Sequence, residues 1–133
     1  MILDNNVVFA LMKPDSTASA IFELKAFFLE APKFVKSEFE EHESECREKS
    51  GLSLKRFEER KAEVFAKIRL VNVQEYKHFL KKALLVVSDE DDAPYVALAL
   101  ATGKPIWSND GELKKLQHVL VLTTTDVVKL LEK

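Results

Sequence analysis

Short apolar segments alternate with longer amphipathic segments along almost the whole chain, and this alternation constrains the fold more than any other feature. Strands are predicted at residues 1–4, 33–36, 69–73, 104–107 and 119–122. Between them, apolar residues recur with the helical period, most clearly over 92–102, where Gly103 follows as a helix stop. Strands that are joined through helices form parallel sheets covered on both faces. The pattern therefore predicts an α/β fold with helices on both sides of a parallel sheet.

Helices are predicted between the apolar segments from their period and from the residues that bound them. Asp15 or Ser16 caps the second helix, which is predicted to continue to Pro32. Ser37 and Glu40 have the spacing of a capping box at the start of an acidic helix. The predicted helices cover residues 5–12, 15–32, 37–50, 53–68, 74–87, 92–102 and 125 onward.

Length and composition are typical of one globular domain, predicted to span residues 1–133. The chain is 47% hydrophobic and 32% charged, and it contains no repeat, linker or low-complexity tract. Its single cysteine, Cys46, excludes an internal disulfide. No apolar run reaches the roughly 18 residues that a membrane span needs, and no basic, apolar leader is visible at the start. We therefore expect a cytoplasmic protein that has no membrane partner.

Four acidic residues lie where a parallel sheet would gather them. Asp4 ends the first predicted strand, and Glu38 follows the second. Asp110 follows the fourth strand, and Asp92 opens the clearest helix. Ligands of doubly wound sheets bind at the carboxyl ends of the strands, so these side chains are expected to meet.

Carboxylates that meet in this way predict a site for a hard divalent cation. Neighbouring carboxylates repel one another, and Mg²⁺ or Mn²⁺ removes the repulsion while accepting oxygen ligands. Such a cation also lowers the pKa of a water molecule, which suits the hydrolysis of a phosphodiester. The formal net charge of −2 counts mildly against a nucleic-acid partner, because such proteins are usually basic.

Each acidic residue also has an alternative structural interpretation. Asp4 and Asp92 can cap helices, and Asp110 can belong to an ordinary turn. Glu38 can belong to the solvated face of an acidic helix. Neighbouring acids compete with Asp92 and Glu38 for a place in the site: Asp89, Glu90, Asp91 and Glu41. The joint position of the four residues at one sheet edge favours a functional site over four independent caps.

Three strings of residues resemble the PIN-domain family, the ribonuclease fold of VapC-type toxins and many archaeal relatives. The first strand and first acidic residue of that family are similar to MILDNN, which includes Asp4. Its second strand and acidic helix are similar to APKFVKSEFEEH, with Glu38. Its third and fourth motifs resemble DEDDAPYVALALATGKPIWSND, with Asp92 and Asp110 at the acidic positions. The resemblance covers essentially the whole chain.

The resemblance implies a three-layer α/β/α fold with a five-stranded parallel sheet. It implies cleavage of single-stranded RNA, with Mg²⁺ or Mn²⁺ held by Asp4, Asp92 and Asp110 and with Glu38 as a ligand or general base. It also implies a homodimer, and an antitoxin protein as partner if the chain is the toxin of a toxin–antitoxin pair. Neighbouring polar residues are expected to bind substrate: Asn5, Ser108, Asn109 and Lys114.

Parts of the sequence are also compatible with other functions. A non-catalytic module that binds RNA or protein could use the same fold, but the acidic set is complete. A receiver-like phosphoacceptor domain would need a lysine near the last strand, and none follows residues 119–122 before Lys129. His42 and Cys46 have the spacing of half a zinc site, with no partner pair elsewhere.

Overall fold

The computed structural model describes all 133 residues and contains a five-stranded parallel sheet. Its strands are β1 (Ile2–Leu3), β2 (Leu29–Pro32), β3 (Ile68–Val71), β4 (Ile106–Trp107) and β5 (Val121–Leu122). They lie in the order β3-β2-β1-β4-β5, and every neighbouring pair is parallel. The predicted three-layer α/β/α fold is confirmed.

Nine α-helices accompany the sheet. They are α1 (Asn5–Leu11), α2 (Thr17–Glu23), α3 (Phe34–Glu41), α4 (Glu43–Ser50), α5 (Leu54–Ala66), α6 (Leu80–Val86), α7 (Ala93–Thr102), α8 (Gly111–Lys114) and α9 (Thr124–Leu131). Short 3-10 turns occur at Val73–Glu75, Lys77–Phe79 and Glu90–Asp92. None of these helices has the length and apolar character required to cross a bilayer.

The strand order reverses beside β1, and this reversal determines where the site lies. The chain builds outward from β1 through β2 to β3, and then returns to the other side of β1 with β4 and β5. The chain thus passes from β1 to a neighbour on one side and from β4 to a neighbour on the other, and ligands of such sheets bind beyond the carboxyl ends of the strands at this reversal. Asp4 directly follows β1, and Ser108 directly follows β4.

The core is built around α7, which packs against β1, β2 and β4. Every residue from Tyr95 to Ala99 is buried, so this helix is covered on nearly all sides. Trp107, Phe39 and Phe57 are also among the fully buried large side chains. The predicted helix over 92–102 is thus confirmed, and Gly103 ends it in the left-handed conformation at φ 71°.

The second strand lies four residues earlier than predicted, at Leu29–Pro32 instead of 33–36. Helix α2 ends at Glu23, and Lys25 adopts a left-handed φ of 54°, which turns the chain out of the helix. All four residues of β2 are buried between β1 and β3, so burial in the sheet outweighs the helical pattern of the sequence. Leu24 and Phe28, two large apolar residues of the predicted helix over 15–32, are 64% and 81% exposed.

The helices after β2 also begin differently from the prediction. Helix α3 starts at Phe34, so Ser37 lies inside the helix and forms no cap. The acidic segment is divided at His42 into α3 and α4, and Gly51 ends α4 as predicted. The predicted helix over 74–87 is replaced by 3-10 turns and the short α6, because the backbone at Tyr76 leaves the helical region at φ −132°.

Candidate active site

Asp4 anchors the candidate site and has both of the roles considered from the sequence. It is the N-cap of α1, where its Oδ1 accepts the backbone N–H of Asn5 at 2.7 Å. Its Oδ2 accepts hydrogen bonds from the Ser108 hydroxyl at 2.6 Å and the Asn6 side-chain amide at 2.9 Å. The residue is only 5% exposed. Burial raises the pKa of Asp4, and the hydrogen bonds from Ser108 and from the Asn5 backbone partly oppose that increase.

Ser108 joins the end of β4 to Asp4. Its hydroxyl oxygen also accepts the backbone N–H of Asp110 at 3.0 Å and the Asn6 amide at 3.2 Å. The side chain is fully buried. It was expected to bind substrate, but this burial leaves it no contact with solvent; its role in the structure is to position Asp4.

Asn109, in the loop after β4, joins that loop to residues that follow β1 and β5. Its backbone N–H donates to Asn6 Oδ1 at 3.2 Å. Its side-chain amide donates to the Thr124 hydroxyl at 3.0 Å, and its side-chain oxygen accepts the Thr124 N–H at 2.8 Å. Asn109 is nevertheless exposed, so it can also face a bound ligand.

Asp110 follows on the same loop and is partly exposed. It caps α8, with its Oδ1 accepting the backbone N–H of Glu112 at 2.8 Å. This single bond leaves most of the hydrogen-bonding capacity of the carboxylate unused. Its charge raises the pKa of Asp4 and of Asp92, which places it beside both.

Glu38 enters the site from α3 and is held by Tyr95, whose phenol donates a hydrogen bond to Glu38 Oε1. Burial raises the pKa of Glu38 to about 7, and the negative charges of Asp4, Asp91 and Asp89 contribute in the same direction. The hydrogen bond from Tyr95 favours the charged form and limits the increase. Glu41, the alternative considered from the sequence, is exposed.

Asp92 precedes α7 at the N-cap position, but its side chain accepts no capping hydrogen bond. Its carboxylate is therefore not needed by the helix. The pKa of Asp92 is raised to about 7, and burial is the largest cause. The negative charges of Asp4, Asp110, Asp89 and Glu38 contribute in the same direction. By contrast, Asp89 caps the preceding turn through the N–H of Asp91 at 3.0 Å, and both residues are exposed. Asp92 is the better placed of the three.

We call Asp4, Glu38, Asp92 and Asp110 the carboxylate cluster. Three of its members raise the pKa of the fourth, Asp92, so all four share one electrostatic environment. None of them forms an ion pair with a lysine, arginine or histidine. Hard oxygen donors without a counter-ion suit a divalent cation. The side chains are not arranged as a formed metal site, however, since no group of three or more potential ligands is positioned to hold an ion.

A family model described as PIN domain matches residues 2–130. The chain belongs to the PIN domain family. No individual curated protein matches it. PIN domains are typically nucleases and usually use divalent metal ions, so family membership supports the broad nuclease prediction. The carboxylate cluster of this PIN domain lies where the strand order reverses, at the carboxyl ends of β1 and β4.

Lys114 and Asn5 are both predicted to bind substrate, but in this PIN domain Lys114 is engaged in other contacts and Asn5 is buried. Lys114 Nζ bonds to Asp126 Oδ2 at 2.7 Å and to the Val121 carbonyl at 2.8 Å, so its charge is already engaged beside β5. Asn5 is 8% exposed, and its buried side-chain oxygen accepts no hydrogen bond. That oxygen is an unmet acceptor next to Asp4 in sequence.

Two residues that hold the site were not singled out from the sequence. Asn6 forms hydrogen bonds with Asp4, Ser108 and Asn109, whereas the sequence predicts a role only for its neighbour Asn5. The helical position of Asn6, two residues after Asp4, is a signal that could have indicated it. Tyr95 lies one turn after Asp92, but its partner Glu38 is 57 residues away along the chain, and no local rule predicts that contact.

Proposed function

We propose that this PIN domain is a metal-dependent endoribonuclease that hydrolyses phosphodiester bonds of single-stranded RNA. The observation that supports this most strongly is the carboxylate cluster, in which burial and neighbouring negative charges raise the pKa of Asp4, Glu38 and Asp92 and no member has an ion-pair partner. A bound Mg²⁺ or Mn²⁺ removes that repulsion, and Asp4, Asp92 and Asp110 are the residues that would hold it.

The residues of this chain then have distinct roles in hydrolysis. The cation, when bound, supplies Lewis acidity at the phosphate and lowers the pKa of a water molecule. Glu38, with its pKa raised to about 7, is suited to accept a proton from the attacking water near neutral pH. Tyr95 fixes the position of Glu38 through its phenol, and Ser108 fixes that of Asp4.

Substrate contacts are proposed for the polar residues that surround the carboxylate cluster. Asn109 is exposed beside Asp110 and is available to an RNA backbone. Asn5 has an unpaired side-chain oxygen. Lys114 must exchange its partner Asp126 for a phosphate if it is to contact RNA, which is feasible because this ion pair is partly exposed to solvent.

Cleavage of labelled single-stranded RNA in Mn²⁺ or in EDTA tests the proposal. We expect cleavage in Mn²⁺ only, and we expect Asp4→Asn and Asp92→Asn to lower the rate by about 100-fold or more, since each removes a charge that acts at the reaction centre. Asp15→Asn is the matched control, because Asp15 is exposed and lies outside the site. Wild-type rates in both cluster variants would refute the assignment.

Biological context is proposed from the family alone: a cytoplasmic homodimer that acts as the toxin of a toxin–antitoxin pair and is neutralised by an antitoxin protein. Growth arrest on expression of the wild type, but not of Asp4→Asn, is the expected result for a toxin. Light scattering of the purified chain measures its mass, and a mass of one chain would refute the homodimer.

A non-catalytic module that binds RNA or protein is the second candidate. The observation that favours it is the absence of any side-chain group arranged to hold a metal ion. Thermal unfolding with and without Mn²⁺ separates the two functions, since a ligand at about 100 times its Kd stabilises the folded state by roughly 2.7 kcal/mol. A melting temperature that Mn²⁺ leaves unchanged would favour the binding module.

A further inference from the structure

A groove between α1 and α4 lies beside the carboxylate cluster and has no role in the mechanism above. Its volume is about 450 Å³, within the range of small-ligand sites. Phe9, Ala10 and Cys46 form its apolar part. Polar residues on its rim include Asn6 and His42. The groove is large enough for a planar heterocycle the size of a nucleobase.

Asn6 connects this groove directly to the candidate active site. The same side chain that lines the groove donates a hydrogen bond to Asp4 Oδ2 at 2.9 Å. A ligand in the groove is therefore separated from Asp4 by one side chain. This adjacency suits a nucleotide that neighbours the phosphate proposed to bind at the carboxylate cluster.

The apolar part of the groove is held rigid by aromatic packing. The Phe9 ring lies 5.4 Å from that of Phe39, which is fully buried. It meets the His42 ring edge-on, at 6.4 Å and 90°. Phe9 itself is only partly buried, so an aromatic surface remains available in the groove. Bases of single-stranded nucleic acids stack on such surfaces regardless of sequence.

The groove is lined by two lysines and one glutamate, Lys13, Lys49 and Glu45, so basic residues predominate here, in contrast to the carboxylate cluster. Lys13 is exposed and forms no ion pair or hydrogen bond with its side chain. Lys49 pairs with Glu45 at 2.8 Å, but both side chains are mostly exposed, so the pair is weak and can be exchanged for a phosphate. Two ammonium groups beside an apolar groove complement a base and its phosphate.

We propose that the groove between α1 and α4 binds a nucleobase of single-stranded RNA, next to the phosphate at the carboxylate cluster, with Lys13 and Lys49 contacting the adjoining backbone. This inference rests on the proposed function and specifies its substrate contact. A protein segment is the competing occupant, and the experiment below distinguishes the two.

Binding of a fluorescently labelled eight-nucleotide RNA in EDTA tests the groove without cleavage. Ala10→Leu fills the groove from a partly exposed position, and Lys13→Ala removes the free ammonium group. We expect each to weaken RNA binding by about fivefold or more, the loss typical of one stacked base or phosphate contact. Lys81→Ala, which removes an exposed lysine from α6, is the charge control and should stay within about twofold of wild type.

RNA with a single abasic site provides a second measurement, whose main result comes from the wild-type protein. We expect the wild-type protein to lose about fivefold in affinity when the abasic site occupies one particular position, and Ala10→Leu to be insensitive to the same change. If Ala10→Leu and Lys13→Ala both keep wild-type RNA affinity, the proposal is overturned. The same conclusion holds if they keep that affinity but lose binding to a protein partner. If the wild-type protein cleaves no RNA but the groove variants still weaken RNA binding, the groove proposal is supported and only the nuclease function is refuted.

Discussion

At the scale of single residues, Asp4 and Asp92 both lie at helix starts but have different roles. Asp4 caps α1 with one oxygen and uses the other within the site, so its position is fixed by three hydrogen bonds. Asp92 occupies the N-cap position of α7 without capping it, and its carboxylate meets only like charges. A carboxylate that caps no helix and whose pKa is raised to about 7 is characteristic of a functional residue.

Asp92→Asn tests this charge repulsion through stability. The folded-state pKa of about 7 lies above the ordinary 3.8, so the folded state holds its proton more tightly than the unfolded chain. Asp92 therefore lowers stability progressively as the pH rises from about 4 to 7. At pH 8 without metal we expect Asp92→Asn to be more stable than wild type by roughly 1 kcal/mol, after allowance for its partial exposure.

Urea unfolding in EDTA at pH 8 and pH 4 measures this difference, which should shrink at the lower pH. The exposed Asp15→Asn serves as control and should show no such trend. An Asp92→Asn variant that is less stable than wild type at pH 8 contradicts the electrostatic interpretation.

Tyr95→Phe tests the hydrogen bond that holds Glu38. This bond favours the ionised carboxylate, so its loss should raise the pKa of Glu38 beyond about 7. The acidic limb of the pH–rate profile for RNA cleavage should then move to higher pH, with most activity recovered near pH 8.5. Tyr76→Phe is the matched control, because Tyr76 is also buried but its phenol has no hydrogen bond. An equal loss of rate at every pH would indicate a structural role only.

At the scale of elements, local conformational signals and sheet burial compete for the same residues. The helical pattern after Ser16 continues beyond Glu23, yet the left-handed Lys25 ends the helix and the next four buried residues form β2. Where no sheet position competes, local signals prevail. Ser53 caps α5, and Thr123 forms a capping box with Asp126 at the start of α9.

Gly103→Ala tests the backbone signal at the end of α7. Gly103 has φ 71°, whereas Gly111 has no left-handed φ, and a Cβ at either position would meet no atom within 4 Å. We expect Gly103→Ala to lower the free energy of unfolding by about 1 kcal/mol, and Gly111→Ala to leave it unchanged or slightly raised. Urea unfolding of the two variants makes the comparison; equal effects would contradict the conformational explanation.

At the scale of the whole molecule, long-range polar contacts join elements that no local pattern relates. Arg60 on α5 is 8% exposed and donates to the Leu11 carbonyl at 2.8 Å and the Ser19 hydroxyl at 3.2 Å. It also bonds to Glu23 at 2.8 Å and lies over the ring of Phe22. One guanidinium thereby joins α5 to α1 and α2.

Arg60→Lys tests this junction while keeping the charge. An ammonium group cannot reproduce the planar set of donors, so we expect the free energy of unfolding to fall by about 2 kcal/mol. Arg56→Lys, on the exposed face of the same helix, should change it by less than about 0.5 kcal/mol. Chemical denaturation of both variants provides the measurement, and equal stabilities would contradict the assigned role of Arg60.

The sequence by itself determined the fold class, the existence of α7 and its Gly103 stop, and the acidic residues that the structure brings together. These features follow from the spacing of apolar residues, from helix caps and from the rule that parallel sheets bind ligands at the carboxyl ends of their strands. Each of these signals is local or depends only on topology. Only the tertiary structure decided that β2 begins at Leu29, that Ser108 is buried against Asp4, and that Tyr95 holds Glu38. Each of those outcomes depends on contacts between distant segments, whose burial and hydrogen-bonding energies exceed the local preferences that a sequence displays.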